Sequence, residues 1–496
     1  MELQLQKRPV PCLRTVLREL QSQEQTQEIR VSDGMPDIGS IVGVWGQVIL
    51  RGKEWEADSI RISGGTMVWV QYLSEDGEET ACMEGWLPFQ MQWNLPESEH
   101  DGRIICQSFL KSVDARSTSA RKMILRTSVA LLAEGMEPCE CDTYVGDDLP
   151  DDVQVRTQSY PVQIPVEAGE KAFVLDEMLT PPANIPGIAK IISYGLQPEV
   201  TEEKLMGDKL VFRGKAWLHI HYNSEDKTQH SIDLEIPFSQ YCELDREYPQ
   251  TNAVRILPCV TTLEAELQQE RIRLKAGLVC QYRICSSQML EMVTDAYSNL
   301  RSVDCITKPL ELPSILESKN RSIMARMNCA SDDARMADIG FLNYPVVQER
   351  HGDNTELILS GQFRTLYNGP DGELRSSEQL WTESVTIPMD EMVRMDATVT
   401  PVGVPRVDMA AGSGQMQLEL FMESRHDSGM SCVCAMELGE IREPDPSRPS
   451  LILKRAGEKS LWELAKENGS TVERIQAAND LQGEPESDQM LLIPVV

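Results

Sequence analysis

The sequence predicts a mainly β chain: three tandem β-rich domains followed by a small α+β domain of β-α-α-β order. Three observations carry this. Glycines at positions 64, 214 and 361 head similar stretches, roughly 150 residues apart, a period too long for a solenoid and right for tandem domains. The stretches themselves, Thr66 to Tyr72 and Lys215 to Tyr222, are rich in β-branched and aromatic residues and end in turn sequences, the pattern of β-hairpins. The last segment, Leu451 to Val496, changes to helical spacing with its own caps.

In the first copy, residues 1–138, Pro36 precedes Gly64, Tyr72 and Asp76 follow it, and Pro88-Phe89 comes after the turn Ser74-Glu75-Asp76-Gly77. In the second, residues 153–307, the same order reads Pro186, Gly214, Tyr222, Asp226 and Pro237-Phe238. Lys122 to Arg126 and Arg271 to Lys275 match farther on. The third copy, residues 320–442, is looser: Gly361, Tyr367 and Asp371 stand closer together, and Pro388-Met389 is read in the Pro-Phe place. Shortening by one strand period keeps side chains on their faces, so the divergence is structurally mild. The acidic stretch Cys139 to Asp152 and the stretch Lys308 to Lys319 read as linkers. Residues 443–450, with Pro444, Pro446 and Pro449, read as a stiff spacer.

The final domain, 451–496, is justified boundary by boundary. Leu451 to Arg455 is strand-like and meets Gly457; Ser460 and Glu463 are at capping-box spacing and open a helix with Leu461, Leu464 and Ala465 on its apolar face. Asn468-Gly469 supplies a left-handed stop, and Ser470 with Glu473 repeats the capping spacing before Val472 and Ile475. Asn479-Asp480-Leu481 ends the second helix, and Met490 to Pro494 returns as a strand. This succession resembles the LysM family, known for gripping N-acetylglucosamine polymers. The resemblance places a groove, or a protein-docking edge, at Gly457, Glu458, Lys459, Ser460, Asn479, Asp480 and Leu481. The usual Gly-Asp-Thr/Ser-Leu is here Gly457-Glu458-Lys459-Ser460-Leu461, one residue longer. Both glycan binding and a redeployed protein-binding module are consistent with that loop.

The glycine-strand-tyrosine, turn, Pro-Phe succession of the repeats resembles the SPOCS domain of spore-coat proteins. Tandem SPOCS-like domains ending in one LysM-like domain resemble the SipL family of clostridial spore-morphogenesis proteins. The resemblance implies a role in coat assembly in the mother-cell cytoplasm, at the forespore surface, with a SpoIVA-type coat morphogenetic ATPase as partner. The reading is therefore a non-enzymatic scaffold. The alternative is a protein that binds peptidoglycan or a chitin-like glycan through its LysM-like domain.

Composition narrows the partners. The 496 residues carry 47 basic and 78 acidic side chains, a formal charge of −31, which opposes nucleic acid and anionic membranes. The first residues have no apolar signal region, and no stretch approaches a membrane span, so a cytoplasmic location is expected. Thirteen cysteines are read as reduced thiols. Cys139-Glu140-Cys141 and Cys432-Val433-Cys434 lack a second Cys pair or a histidine at finger spacing, so no metal is assigned. His219 and His221, with His230, are read as ordinary surface positions. Glu78-Glu79, Asp151-Asp152 and the turn aspartates read as solvated, and Ala411 to Gly414 as a loop without a phosphate-binding signature. No nucleophile-base-orienter set emerges, and no cofactor is expected.

Overall fold

A computed structural model describes residues 2–77, 79–95, 102–226, 228–310, 312–328, 335–368, 373–389, 393–408, 413–426, 431–441 and 449–495. Glu78, the third-copy turn at 369–372, Ala411-Gly412 and the first six residues of the 443–450 spacer lie outside them. A short strand, β1 (Glu2–Gln4), opens the chain. The first unit contains β2 (Gln6–Arg30), β3 (Ile38–Trp55), β4 (Ser59–Ser74), β5 (Thr80–Asn94), β6 (Arg103–Ser119) and β7 (Lys122–Val145). The second contains β8 (Val153–Leu179), β9 (Ile188–Met206), β10 (Lys209–Ser224), β11 (Gln229–Glu243), β12 (Ala253–Gln268) and β13 (Arg271–Ser298). After β14 (Val303–Pro309), the third contains β15 (Ile315–Asn328), β16 (Arg335–Asn343), β17 (Val347–His351), β18 (Asn354–Asn368), β19 (Leu374–Pro388), β20 (Val393–Asp408) and β21 (Ser413–His426).

All three units have one topology. A meander, β3-β4-β5, β9-β10-β11 or β16/β17-β18-β19, faces a sheet ordered β2-β7-β6, β8-β13-β12 or β15-β21-β20. In each, the last strand lies between the first and the one just before it. Apolar side chains alternate inward from both sheets, so each unit is a sandwich with its own core. Val68, Val70, Leu125 and Leu131 belong to the first core, Leu218, Ile220, Leu274 and Leu278 to the second, and Leu357, Leu359, Leu418 and Leu420 to the third.

The repeated landmarks have physical causes. The Tyr72 hydroxyl donates to the Pro36 carbonyl at 3.0 Å, and that of Tyr222 to Pro186 at 3.3 Å. A Cβ on Gly64 would lie 2.2 Å from the Ile49 carbonyl oxygen and 2.8 Å from the Phe89 ring; on Gly214 it would meet Glu199 O at 2.2 Å and Phe238 at 2.4 Å. The glycine thus makes room for the Pro-Phe aromatic directly opposite. In the third unit Pro388 pairs with Asn354 at the far end of β18, while Trp381 lies opposite Gly361. Pro388-Met389 therefore does not take the Pro-Phe place, and Phe341 crowds Gly361 instead.

The units close on one another in a ring. Trp69 on β4 packs edge-on against Tyr194 of β9. His219 on β10 bonds Asp338 of β16 at 2.6 Å, and Arg364 on β18 donates to the Val44 carbonyl of β3 at 3.1 Å. The middle strand of each meander thus reaches the first meander strand of the next unit. This corrects the reading of His219 and His221 as surface positions: the outer face of their sheet is covered by the neighbours. His221 is fully buried against Trp45, and burial pulls its pKa down to about 4. Burial also opposes charge on His219, but the Asp338 charge and the bonds to Asp233 and Asp338 win, raising its pKa to about 10.

Where the long strands cross, Arg283 bridges Glu134 at 3.0 Å and Glu423, one residue from each unit. Arg18 reaches Glu134 at 3.0 Å and Asp396 at 2.9 Å, and Arg425 reaches Glu423 at 2.5 Å. Desolvation opposes ionisation of Glu134, yet Arg283, Arg18 and Arg425 hold its pKa at about 2.

Beyond this crossing the strand ends form a stem. The stretch 139–145, read as linker, continues β7 and pairs with residues 6–12 of β2. Ile315 to Lys319, likewise read as linker, already belongs to β15. β22 (Ser431–Leu438) lies between β1 and β14, so both ends of the β body meet in the stem core with Ile164, Met292 and Val433. Among the described residues no helix is long and apolar enough to cross a membrane.

Candidate functional site

The C-terminal module follows the order β23 (Leu451–Arg455), α1 (Leu461–Asn468), α2 (Val472–Asn479) and β24 (Met490–Pro494). The Ser460 side chain accepts from the Glu463 amide while the Glu463 carboxylate accepts from the Ser460 amide at 2.8 Å, a complete capping box. Gly469 ends α1 in the left-handed region. The cap of α2 is Thr471, not Ser470: its hydroxyl accepts from Arg474 N, while Ser470 is buried. Leu461, Leu464, Ala465, Ile475, Leu491 and Ile493 form the core.

The seven residues assigned to a groove or edge divide into two kinds. Gly457, with φ 65°, and Glu458 are exposed in the loop after β23, and Lys459 pairs with Glu467 at 2.5 Å. Ser460 serves the helix cap. Across from them, Asn479 clamps α2 to β24: its amide donates to Ile475 O at 2.8 Å and Leu492 O at 2.7 Å and accepts from Leu492 N at 2.8 Å. Asp480 caps α2 with φ 54°, and Leu481 packs onto the module core. Glu484 reaches across and accepts from Leu461 N at 2.7 Å, tying the two loops together at the start of α1. Ser460, Asn479, Asp480 and Leu481 therefore hold the module together, leaving Gly457, Glu458 and Lys459 as the outward-facing part.

A larger surface went unread in the sequence. Leu453 pairs with Leu492, Leu451 with Pro494 and Arg455 with Met490, so one face of the two-stranded sheet carries Leu451, Leu453, Met490 and Leu492. Leu453 is 62 % exposed and the other three are also exposed. The alternation in Leu451 to Leu453 and Met490 to Ile493 could have revealed it, since Ile452, Leu491 and Ile493 supply the inward face.

The module's other side is fixed to the β body. Trp462 Nε1 donates to Asp295 at 2.8 Å, Lys466 pairs with the same carboxylate at 2.7 Å, and Tyr297 packs edge-on against Trp462 while donating to Ser470 O at 3.0 Å. Asp295 and Tyr297 sit near the end of β13, so the stem positions the module.

A cavity of about 470 Å³ is lined from all three units, and several of its polar side chains bond between strands: Gln47 accepts from Leu196 N, and Gln107 and Asn343 donate to Val399 O. In the stem, Cys12 lies opposite Cys139, and its sulfur is 3.1 Å from that of Cys139 and 3.6 Å from that of Cys141. The bonds from Cys12 and Cys141, helped by Arg14, pull the Cys139 thiol pKa well down, while the bond from Cys139 raises that of Cys12.

The family model described as SipL, SPOCS domain matches residues 187–267, from the entry to β9 almost to the end of β12. No curated protein and no solved structure matches the chain. The match falls within the second unit, whose residues 187–267 are thus similar to that SPOCS domain.

Proposed function

We propose that the chain is a non-enzymatic scaffold of tandem SPOCS-like units with a LysM-like module, which docks onto a self-assembling coat protein of the SpoIVA type at the forespore surface, in the mother-cell cytoplasm. The observation that carries this is the exposed apolar face of Leu451, Leu453, Met490 and Leu492 on a module whose opposite side is bonded to the body. A contiguous exposed apolar face on a charged chain fits a protein contact, where removing its aliphatic side chains from water supplies affinity. Glu458 and Lys459, exposed in the adjoining loop, supply a polar rim. Presented to a polymer, many such modules are retained together, so a modest single contact gives lasting attachment.

The test uses the full chain and its Leu453→Asp variant. Immobilised SpoIVA-type ATPase should retain the wild type and lose at least ~10-fold in affinity for the variant, the scale of one hot-spot side chain. Insoluble peptidoglycan should pellet neither. Equal retention of both proteins by the ATPase would refute docking through this face, and pelleting with peptidoglycan would favour the glycan reading.

A further inference from the structure

We infer that Cys12, Cys139 and Cys141 form a binding site for one thiophilic d10 metal ion, Zn(II) or Cu(I), that pins the stem. The three sulfurs lie within 4.8 Å of one another. Cys139 and Cys141 are two apart on β7 and so share a face, and Cys12 is the cross-strand partner of Cys139 on β2. Sulfurs bound to one ion at about 2.3 Å stand roughly 4 Å apart, and the observed 3.1 and 3.6 Å approach that spacing with no change of strand register. Soft thiolates select these ions over hard cations.

The surroundings meet the further requirements of a metal site. Cys12 and Cys141 are buried, whereas Cys139 is half-buried and borders, with Cys12, a cavity of about 750 Å³ that opens a path inward. Glu137, two residues before Cys139 and on the same strand face, also lines that cavity, within the neighbourhood from which a fourth ligand would come. Arg14, paired with Glu137 at 2.5 Å, adds positive charge beside the cluster. A Cys12–Cys139 disulfide is the competing use of the same residues, but it would leave the third converging sulfur without a purpose.

The placement gives the ion a role. β2 begins and β7 ends in the stem, beside β22 and the strands that carry the C-terminal module. An ion joining β2 to β7 there would fasten the first unit's two ends to each other where they enter the stem.

The experiment uses the full chain, purified reduced and without oxygen, titrated in one arm with Co(II) as a spectroscopic stand-in for Zn(II), then Zn(II), and in the other with Cu(I) against a competing chelator. We expect one equivalent per chain, sulfur-to-metal charge-transfer absorption, and a raised melting temperature in the preferred arm. Cys139→Ser should weaken binding by more than the ~10–100-fold typical of losing an outer-shell partner, while Cys242→Ser, remote in the second core, should leave it unchanged. Cys139 is half-buried, so its variant should stay folded, which the melting curve checks; Cys141→Ser gives a second reading. Absence of stoichiometric metal in both arms, equal binding by the cysteine variants and wild type, or a mass lower by the two hydrogens of a disulfide with no bound metal would each overturn the assignment.

Discussion

Replacing Arg283 by Met should destabilise the body less than replacing Glu134 by Gln, although each removes one member of the same buried pair. The crossing contains four guanidiniums, from Arg18, Arg255, Arg283 and Arg425, and three carboxylates, from Glu134, Asp396 and Glu423. The Arg283 side chain is 3 % exposed, so neither partner is rescued by water when the pair is broken. Breaking a buried ion pair from one side costs about 3–5 kcal/mol because an uncompensated charge remains. Arg283→Met leaves three charges of each sign, with Glu134 still 3.0 Å from Arg18 and Glu423 2.5 Å from Arg425. Its cost should fall near ~3 kcal/mol. Glu134→Gln leaves four cations against two anions, next to Arg255, whose pKa burial and Arg283 already push down to about 9. Its cost should approach ~5 kcal/mol. Urea unfolding at neutral pH, with the slope compared between variants, measures both. A smaller loss for Glu134→Gln than for Arg283→Met would refute the charge-balance argument, and losses under ~1 kcal/mol for both would show that the crossing is solvated.

Three further outcomes follow from the same contacts. His221, with its folded pKa near 4, stabilises the neutral form: its contribution is present above the unfolded value of about 6.5 and is lost as pH falls toward 4, by up to ~3 kcal/mol. His219, with its pKa raised to about 10, contributes fully below about 6.5 and loses that contribution as pH rises through 10. His221→Asn should therefore flatten the acid limb of a urea-midpoint profile and His219→Gln the alkaline limb; unchanged limbs would contradict the assigned states. Gly214→Ala should cost about 1–3 kcal/mol because its Cβ would meet the Glu199 carbonyl, whereas Gly340→Ala, with nothing within 4 Å, should cost less in the same thermal unfolding series. Asp295→Ala removes the bonds to Trp462 and Lys466, so protease release of the C-terminal module should quicken while the body's melting temperature holds; an unchanged cleavage rate would show the docking is not carried there.

The mainly β class was legible because alternation and turn residues are local signals, and the elements of the last segment were legible because each end has a chemical cap. The sole misplaced cap, Ser470 for Thr471, is a one-residue error between two hydroxyl residues that both fit capping chemistry. What stayed hidden is tertiary. The histidines on β10 have the alternation of an outward face, and only Asp338 of the third unit and Trp45 of the first turn that face inward. Cys12 is far from Cys139 in sequence, so no spacing rule joins them; strand register does. The acidic stretch after Cys139 looked like a linker because polar residues dominate it, yet in a strand that protrudes beyond its sandwich such residues face solvent while Cys141 and Tyr144 face the stem core. The groove assignment came from resemblance, and the bonds of Asn479 and Glu484 account for part of that motif as internal fastening.

The stem also decides which truncations are tolerated. Removing residues 451–496 uncovers Tyr297 and Asp295 but takes no strand from the body's sheets, because among the described residues β23 and β24 pair only with each other. Removing residues 431–496 is different in kind. It extracts β22 from between β1 and β14, together with the buried side chains of Cys432, Val433, Met436 and Leu438. At ~1.5–3 kcal/mol for each large apolar side chain, their loss is on the order of 5–10 kcal/mol, comparable to the whole stability of an ordinary domain. The effect should be local first: amides of Glu2–Gln4 and of residues 303–308 should lose hydrogen-exchange protection, while β4 and β10, deep in their own sandwiches, keep theirs. Because β13 crosses from the second sandwich into the stem and carries Asp295 and Tyr297 at its end, loosening there would also weaken the seat on which the docking module rests. Retained protection in β1 and β14 after the longer truncation would show that the stem does not need the strand at its centre and would refute this dependence.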